Sequence, residues 1–365
     1  MEEGEFEGNG AVVLADSLGI DSAADVLLKG GVVVIPTDTV YGLAAHPNIP
    51  AAVDRLYTLK DRDQAKPIAL LASDADKATP FIGAEAADFG SRYWPGALTV
   101  VAQSEGVRIP NHEWTRELIR KCGGALRVTS ANMSGQRPAT DSTSALAEIG
   151  LRADLVVDGG VSPGGAASTV VKFSPTGELQ ILRPGPIKFL VLASASPRRS
   201  KILRSLGVHF TIAKTDAAEV SYHDDPCRTV VENALAKGAA VSPSHQAGGV
   251  LSADTIVWFN DKIYGKPRDL NEAEEFLREL SGNTHTVFTG VAYNGEVKVC
   301  QSHVKFRTLS DASIREYVAR VKPTDRAGAY DIDESGDLIV KKWTGSYENI
   351  MGLPVEPLRE WGIVK

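Results

Sequence analysis

Arg183-Pro184-Gly185-Pro186-Ile187-Lys188-Phe189-Leu190-Val191-Leu192-Ala193-Ser194-Ala195-Ser196-Pro197-Arg198-Arg199 is the stretch that divides this chain. Two prolines around a glycine punctuate any regular pattern at 183–186. Phe189–Ala193 then reads as a new buried strand. Pro197–Leu206 reads as a helix, with Ser196 able to cap it and Pro197 suited to its first turn. A strand that opens afresh midway through 365 residues points to a second core, and that length favours two or three domains over one. The expected division is an acidic lead-in over 1–20, one domain over 21–187 and another over 188–365.

Upstream of the divide, Asp21 or Ser22 can cap a helix ending at Leu28 before Gly30-Gly31. Strands are predicted at Val32–Ile35, Ile68–Ala72, Leu98–Ala102, Leu126–Thr129, Leu155–Val157, Ser168–Phe173 and Leu179–Leu182. Helices are predicted at Ala51–Lys60, Trp114–Lys121 and Ser144–Ile149. This alternation is an α/β domain with a twisted mixed sheet. Downstream, a strand near Phe210, a helix near Thr229–Ala240, a strand at Val250–Phe259 and a helix at Glu272–Leu280 follow. His285–Tyr293 and Val297–Thr308 predict a long antiparallel ribbon turning at Asn294-Gly295, a strong hairpin signal. No internal repeat is visible, so the halves are not copies of each other.

Hydrophobic residues make up 43% and charged residues 23%, an ordinary globular composition. The formal net charge of -7 falls entirely on residues 1–187, and residues 188–365 balance to zero. Neither half has the basic excess that drives non-specific nucleic-acid binding, so local cations are better suited to a small polyanion. No apolar run approaches a membrane span, and Glu2, Glu3, Glu5 and Glu7 are unlike a signal peptide. Cys122, Cys227 and Cys300 lie far apart without metal-ligand spacing, which suits free thiols in the cytoplasm.

Two clusters carry the chemistry. Lys60, Arg62 and Lys66 place three cations within seven residues at a helix exit, although alternation with Asp61 and Asp63 also fits a solvated loop. Thr129-Ser130-Ala131-Asn132-Met133-Ser134-Gly135 follows a strand end, where ligands gather in α/β sheets. Its short hydroxyls and amide can bond phosphate or ribose, or simply cap the next helix. With Pro36-Thr37-Asp38-Thr39-Val40-Tyr41-Gly42-Leu43, Trp94-Pro95-Gly96, Leu98-Thr99 and Arg108-Ile109-Pro110, the pattern becomes specific. Asp158-Gly159-Gly160, Ser168-Thr169-Val170-Val171 and Arg183-Pro184-Gly185 complete it. On these residues 24–187 resemble the YrdC-like threonylcarbamoyl-adenylate synthase family.

That resemblance implies synthesis of threonylcarbamoyl-AMP from L-threonine, bicarbonate and ATP, with release of pyrophosphate and supply to tRNA-modifying proteins. It assigns Lys60, Arg62 and Lys66 to the triphosphate with Mg²⁺ assisting. Thr37 and Ser130 fall to threonine and bicarbonate, and Ser130, Asn132 and Arg183 to the nucleotide. Arg108 and Ser168 join the substrate site. One departure is Ala167 before Ser168, where related sequences commonly have glutamate.

The second cluster opens with Arg198 and Arg199 at the positive end of a helix dipole, where cations are disfavoured unless a polyanion binds. They also fit two solvated arginines. Asp254 interrupts an apolar strand and needs a metal, a cation or a hydrogen-bond network, or acts as a structural cap. The full set is Leu192-Ala193-Ser194-Ala195-Ser196-Pro197-Arg198-Arg199, Asp216 with Glu219, Ala236-Lys237, Ser252-Ala253-Asp254-Thr255-Ile256-Val257 and Gly265-Lys266-Pro267-Arg268. It runs on through Leu280-Ser281-Gly282, His285, Phe306-Arg307, Asp325–Tyr330, Gly345-Ser346-Tyr347 and Gly352-Leu353-Pro354. By these, residues 189–365 resemble the Maf nucleotide pyrophosphatase family, with an ITPase-like α/β fold.

The Maf resemblance implies hydrolysis of nucleoside triphosphates to monophosphate and pyrophosphate. It makes Asp254 the general base, Glu219 and Asp254 the ligands of Mg²⁺ or Mn²⁺, and Lys266 a catalytic cation. Ser196, Arg198, Arg199, Lys237 and Thr255 would hold substrate. Arg198 directly after Pro197 resembles the dTTP/UTP branch, whereas Asp333 stands where that branch has glutamine, which leaves the base open. The absence of G-x-x-x-x-G-K-[ST], G-x-S-x-G and H-E-x-x-H leaves P-loop, serine-hydrolase and zincin readings unsupported. The leading expectation is a bifunctional enzyme, with a homodimer left open. The rival is an RNA-binding first domain joined to a Maf-like cell-division regulator, or one active domain beside an inactive one.

Overall fold

The computed structural model describes residues 11–174, 176, 178–242 and 248–364, so Met1–Gly10 of the acidic lead-in lie outside the described residues. The chain separates into two compact units, Met1–Lys188 and Phe189–Lys365.

The first unit is built on a ten-stranded mixed sheet. Its strands are β1 (Ala11–Leu14), β2 (Val33–Ile35), β3 (Gly42–Ala45), β4 (Leu70–Ala72), β5 (Leu98–Ala102), β6 (Glu105–Arg108), β7 (Ala125–Ser130), β8 (Leu155–Asp158), β9 (Thr169–Phe173) and β10 (Leu179–Arg183). They lie in the order β1-β8-β2-β3-β7-β4-β6-β5-β9-β10. Parallel pairs at β1/β8, β2/β8, β4/β6 and β5/β9 alternate with antiparallel ones. β2 and β3 are buried throughout; β2 reads as a continuous apolar run, whereas β3, Gly-Leu-Ala-Ala, was not expected as a strand.

Several expectations for this unit need correction. The expected lead-in over 1–20 is too long: β1 already pairs with β8 from Ala11, and the first helix runs Ser17–Leu28. Asp16 caps that helix by accepting the N–H of Gly19 at 2.8 Å, not Asp21 or Ser22. β1 is the short apolar run Ala-Val-Val-Leu; its side chains are mostly exposed and backbone pairing with β8 holds it. Helices Ala75–Ile82 and Ala84–Ser91 were not expected, because Pro80 and Gly83 mask their periodicity.

The second unit has a seven-stranded sheet of β11 (Leu190–Leu192), β12 (Phe210–Ile212), β13 (Gly249–Phe259), β14 (Lys262–Tyr264), β15 (Thr284–Tyr293), β16 (Glu296–Phe306) and β17 (Val340–Thr344). The order is β12-β11-β13-β15-β16-β17, with β14 on β13. The predicted ribbon is β15/β16, paired from Thr284–Lys305 to Tyr293–Glu296. Asn294 at φ 50° and Gly295 at φ 90° supply the positive angles its two-residue turn demands.

The helix Leu270–Leu280 buries Ala273, Phe276, Leu277 and Leu280, a spacing of three and four that fixes one apolar face. Each fully buried leucine there contributes roughly 1.5–3 kcal/mol. The helix Pro226–Ala239 lies on β13 and β15, and Gly290 permits the approach. A Cβ at Gly290 would stand 2.4 Å from the carbonyl oxygen of Val230. The helix Asp311–Val321, also unexpected, buries Ile314, Tyr317, Val318 and Val321. Among the described residues no helix is long and apolar enough to cross a membrane.

Candidate functional site

In the first unit, Thr37 occupies the bend between β2 and β3. Its hydroxyl accepts the N–H groups of Thr39 and Val40 at 3.1 and 3.3 Å and donates to the Val40 carbonyl at 2.7 Å. A side chain thus replaces backbone partners that so tight a bend lacks. Gly42 then pairs with Ser130 across β3 and β7. A Cβ at Gly42 would meet Val128 Cγ1 at 2.5 Å, so glycine lets the two strands close here. Beyond Ser130 the chain turns, and Asn132 Nδ2 holds the turn by donating to Met133 and Gln136 carbonyls, both at 2.8 Å.

A cavity of about 600 Å³ opens beside these elements. Thr37, Arg62, Lys66, Arg108, Ser130, Ser168 and Arg183 all line it. Its described lining residues include four cationic side chains and no Asp or Glu. Ala167 also lines the wall, so the departure at that position leaves it without a carboxylate. Arg108 is buried and committed: it donates to Thr39 Oγ1 at 2.7 Å and the Gly96 carbonyl at 3.0 Å, and pairs with Asp38. Burial lowers its proton affinity and Asp38 opposes that. Arg183 grips Ser168 through its carbonyl at 2.9 Å and its hydroxyl at 3.1 Å. Ser168 Oγ also meets Thr99 Oγ1 at 2.8 Å. Burial, then the neighbouring Arg62 charge, pushes Arg183 down. A wall this cationic favours a polyanion.

Lys60 and Asn132, expected at the substrate, lie outside the cavity lining, at 1% and 4% exposure. Lys60 ends the helix Pro50–Lys60, on the face that also buries Ala52 and Leu56, so four-residue spacing carries it into the interior. Its Nζ donates to the Asn132 carbonyl at 2.5 Å and to the Ser130 carbonyl. Burial, with Arg62 nearby, pushes the ammonium down to about 8. Lys60 braces the 130–132 turn rather than facing phosphate. Thr39 and Thr99 were missed as site residues, although both stand inside the quoted motifs.

In the second unit a cavity of about 300 Å³ collects Ser196, Arg198, Arg199, Glu219, Lys237, Asp254, Thr255 and Lys266. Asp254 projects from β13 and is 6% exposed. Lys237 Nζ stands 2.5 Å from its Oδ1 and 2.8 Å from Glu219 Oε1. Asn233 Nδ2 donates to Asp254 Oδ2 and the Val220 carbonyl, both at 3.0 Å, and Asn233 Oδ1 accepts the Val220 N–H at 2.7 Å. Asn233 therefore ties the Glu219 segment to Asp254. It was missed because a lone helical asparagine carries no sequence signal.

The two arginines have separate duties. Arg199 is buried, and its guanidinium donates to Gly352 O at 2.8 Å, Ser194 Oγ at 3.1 Å and Thr255 Oγ1 at 3.1 Å. Burial pushes it down to about 10, opposed by Asp254. It braces the pocket floor. Arg198 lines the cavity and donates through Nη1 to Asp331 Oδ2 at 3.3 Å. Ser196 occupies the N-cap position of the helix Pro197–Ser205, but its side chain makes no capping bond. Instead Ser194 Oγ accepts the Ser196 N–H at 3.2 Å.

Asp333, expected at the substrate, does not line the cavity. It pairs with Lys201 at 2.5 Å and accepts from Tyr347 at 3.2 Å. Asp331, two residues earlier, is the carboxylate that does line it, with Thr215 and Asp325. Among the described residues no group of three or more His, Cys, Asp or Glu forms a metal cluster. A divalent ion bound with nucleotide needs only one or two carboxylates besides water and phosphate oxygens. Glu219 and Asp254, already gathered round one ammonium, meet that requirement.

Two α/β units, each with a cavity over the central strands of its own sheet and several cations in its wall, define a two-domain protein with two sites suited to polyanions. Residues 25–185 match the Sua5/YciO/YrdC family model, described as telomere recombination, and residues 189–361 match the Maf-like protein model. The chain belongs to the Maf family through that second segment and carries a Sua5/YrdC-type domain ahead of it. The dTTP/UTP pyrophosphatase of Thermosipho melanesiensis is 38% identical over 179 residues, which cover 48% of this chain and 96% of the relative. The dTTP/UTP pyrophosphatase of Myxococcus xanthus is 41% identical over 170 residues, 46% of this chain and 87% of the relative. Among solved structures, P. abyssi Sua5 complexed with L-threonine is 25% identical with a TM-score of 0.47. That alignment covers 58% of this chain and 64% of the Sua5 chain.

Proposed function

We propose that the chain is a bifunctional enzyme. Its second unit hydrolyses dTTP or UTP to the monophosphate and pyrophosphate, and its first forms threonylcarbamoyl-AMP from L-threonine, bicarbonate and ATP. The observation that carries the hydrolase reading is the convergence of Asp254, Lys237 and Glu219 with Arg198 in one cavity. The curated pyrophosphatases support it.

In the hydrolysis, a water oxygen bonds to the α-phosphorus as the bond from that phosphorus to the bridging oxygen breaks, and pyrophosphate leaves. Asp254 takes the water's proton on Oδ1 or Oδ2 while Asn233 keeps the carboxylate aimed. Arg198 holds the substrate's phosphates, and Lys237 and Lys266 offset charge growing on the leaving group. Glu219 and Asp254 would hold Mg²⁺ or Mn²⁺, which supplies charge neutralisation at the phosphates.

In the first unit Arg62, Lys66 and Arg183 would bind the ATP phosphates, and Thr37, Ser130 and Ser168 would fix threonine and bicarbonate. The carboxylate-free wall supports an anionic substrate. The threonine nitrogen bonds to the bicarbonate carbon with loss of water, giving the carbamate. Its oxygen then bonds to the α-phosphorus as the bond from that phosphorus to the bridging oxygen breaks and pyrophosphate departs, with no side chain forming a covalent bond. The setting is the cytoplasm, with tRNA-modifying proteins taking the product. Purified protein is to be assayed for pyrophosphate release with UTP and dTTP, and by chromatography for threonylcarbamoyl-AMP. Folded protein inactive in both assays overturns the proposal.

A further inference from the structure

Asp331 is 4% exposed at its side chain, lines the second cavity, and has every lone pair engaged. Its Oδ2 accepts from Arg198 Nη1 at 3.3 Å and Arg326 Nε at 3.0 Å. Its Oδ1 accepts the backbone N–H groups of Asp333 at 2.9 Å and Glu334 at 3.3 Å. Four donors fill the four acceptor sites of a carboxylate, leaving nothing for a substrate base or sugar. Arg326 is fixed in turn by the Val321 carbonyl at 2.8 Å and Glu334 at 2.6 Å.

Arg198 needs such an anchor. It sits in the first turn of the helix Pro197–Ser205 beside Arg199, where the helix dipole and a second guanidinium both repel it. Without a counterion it would swing toward solvent whenever the cavity holds no anion. Asp331 occupies one of its five N–H groups and leaves the rest available.

We propose that Asp331 is a positioning residue that holds Arg198 in place for the substrate's phosphates and never touches the substrate itself. This rests on the hydrolase reading above. Arg198 then arrives with its side-chain freedom already lost, and that ordering no longer opposes phosphate binding. An asparagine cannot replace Asp331, because its NH₂ would face either two guanidinium donors or two backbone N–H donors.

The test is a double-mutant cycle on the full chain. Asp331→Asn is expected to raise KM for UTP roughly tenfold with kcat changed less than about threefold, and Arg198→Ala to raise KM by at least as much. In the Arg198→Ala background, Asp331→Asn should add less than about twofold. Independent, multiplying effects overturn the proposal, as does a fall in kcat at unchanged KM. If Asp331→Asn does not fold, Asp331→Glu carries the same cycle, since it keeps the charge but shifts the pairing atoms. Calorimetric titration with inorganic pyrophosphate runs beside the kinetics. A wild type that hydrolyses no nucleotide sinks the hydrolase reading, while the same affinity cycle on pyrophosphate still decides the role of Asp331.

Discussion

Lys60 Nζ donates to the main-chain oxygen of Asn132 at 2.5 Å, joining a helix end to a turn 72 residues away. A charge that looks destined for phosphate is a structural brace. Lys60→Met should destabilise the protein by about 2 kcal/mol, since it leaves buried carbonyls unsatisfied. Threonylcarbamoyl-AMP formation should fall while UTP hydrolysis holds. Denaturant unfolding with both assays checks this. A higher KM for ATP at unchanged stability would instead make Lys60 a phosphate ligand.

Asp254→Asn should lower the rate of nucleotide hydrolysis by about 10²–10⁴-fold, the range for a lost general base. Asn233→Ala should lower it more mildly, on the order of tenfold, because it frees the carboxylate without removing it. Neither should affect threonylcarbamoyl-AMP formation. Pyrophosphate release under saturating UTP measures both, and unaltered turnover in Asp254→Asn would refute the assignment.

His285 makes stability depend on pH. It is 1% exposed, its Nε2 lies 3.0 Å from the Tyr330 hydroxyl, and burial pushes its pKa down to about 3. Between about pH 6.5 and about 3, the unfolded chain binds a proton that the folded chain does not. Stability contributed by neutral His285 is therefore lost as pH falls through that window, approaching about 1.4 kcal/mol per pH unit. Urea unfolding at pH 7 and pH 5 should show a smaller acid loss in His285→Gln than in wild type. Equal losses in the two would rule this out.

Gly290→Ala should destabilise the second unit by about 1–3 kcal/mol, the usual cost of overpacking. The added methyl would meet the Val230 carbonyl at 2.4 Å, forcing the helix Pro226–Ala239 off β15. Since that helix carries Asn233 and Lys237, hydrolysis should weaken too. Thermal unfolding beside the UTP assay reads both. A variant as stable as wild type would contradict the packing described.

The two-domain α/β architecture was legible because the prolines at 184 and 186 and the strand after them reset the pattern. The ribbon was legible from Asn294-Gly295. Most site residues were legible as motifs, since strand ends and helix starts deliver them to one cavity. Burial was not legible for charged residues. Lys60 and Arg199 look like their half-buried, cavity-lining neighbours Arg62 and Arg198, and periodicity alone assigns them no duty. Asp333 drew attention through family pattern, whereas Asp331 faces the cavity; two residues of turn geometry separate them. β1 went unseen because it is only four residues long and follows directly on the acidic stretch.

The second cavity meets its ligand already neutralised from within: Lys237 between Glu219 and Asp254, Arg198 against Asp331. Asp331 keeps Arg198 where it is, so only the arrangement around Lys237 has to open. A small anion that brings no countercharge has little to offer Glu219 and Asp254 in exchange for their shared ammonium. A triphosphate that arrives with its own cation can replace it, so the resting pocket favours a ligand that carries its countercharge along.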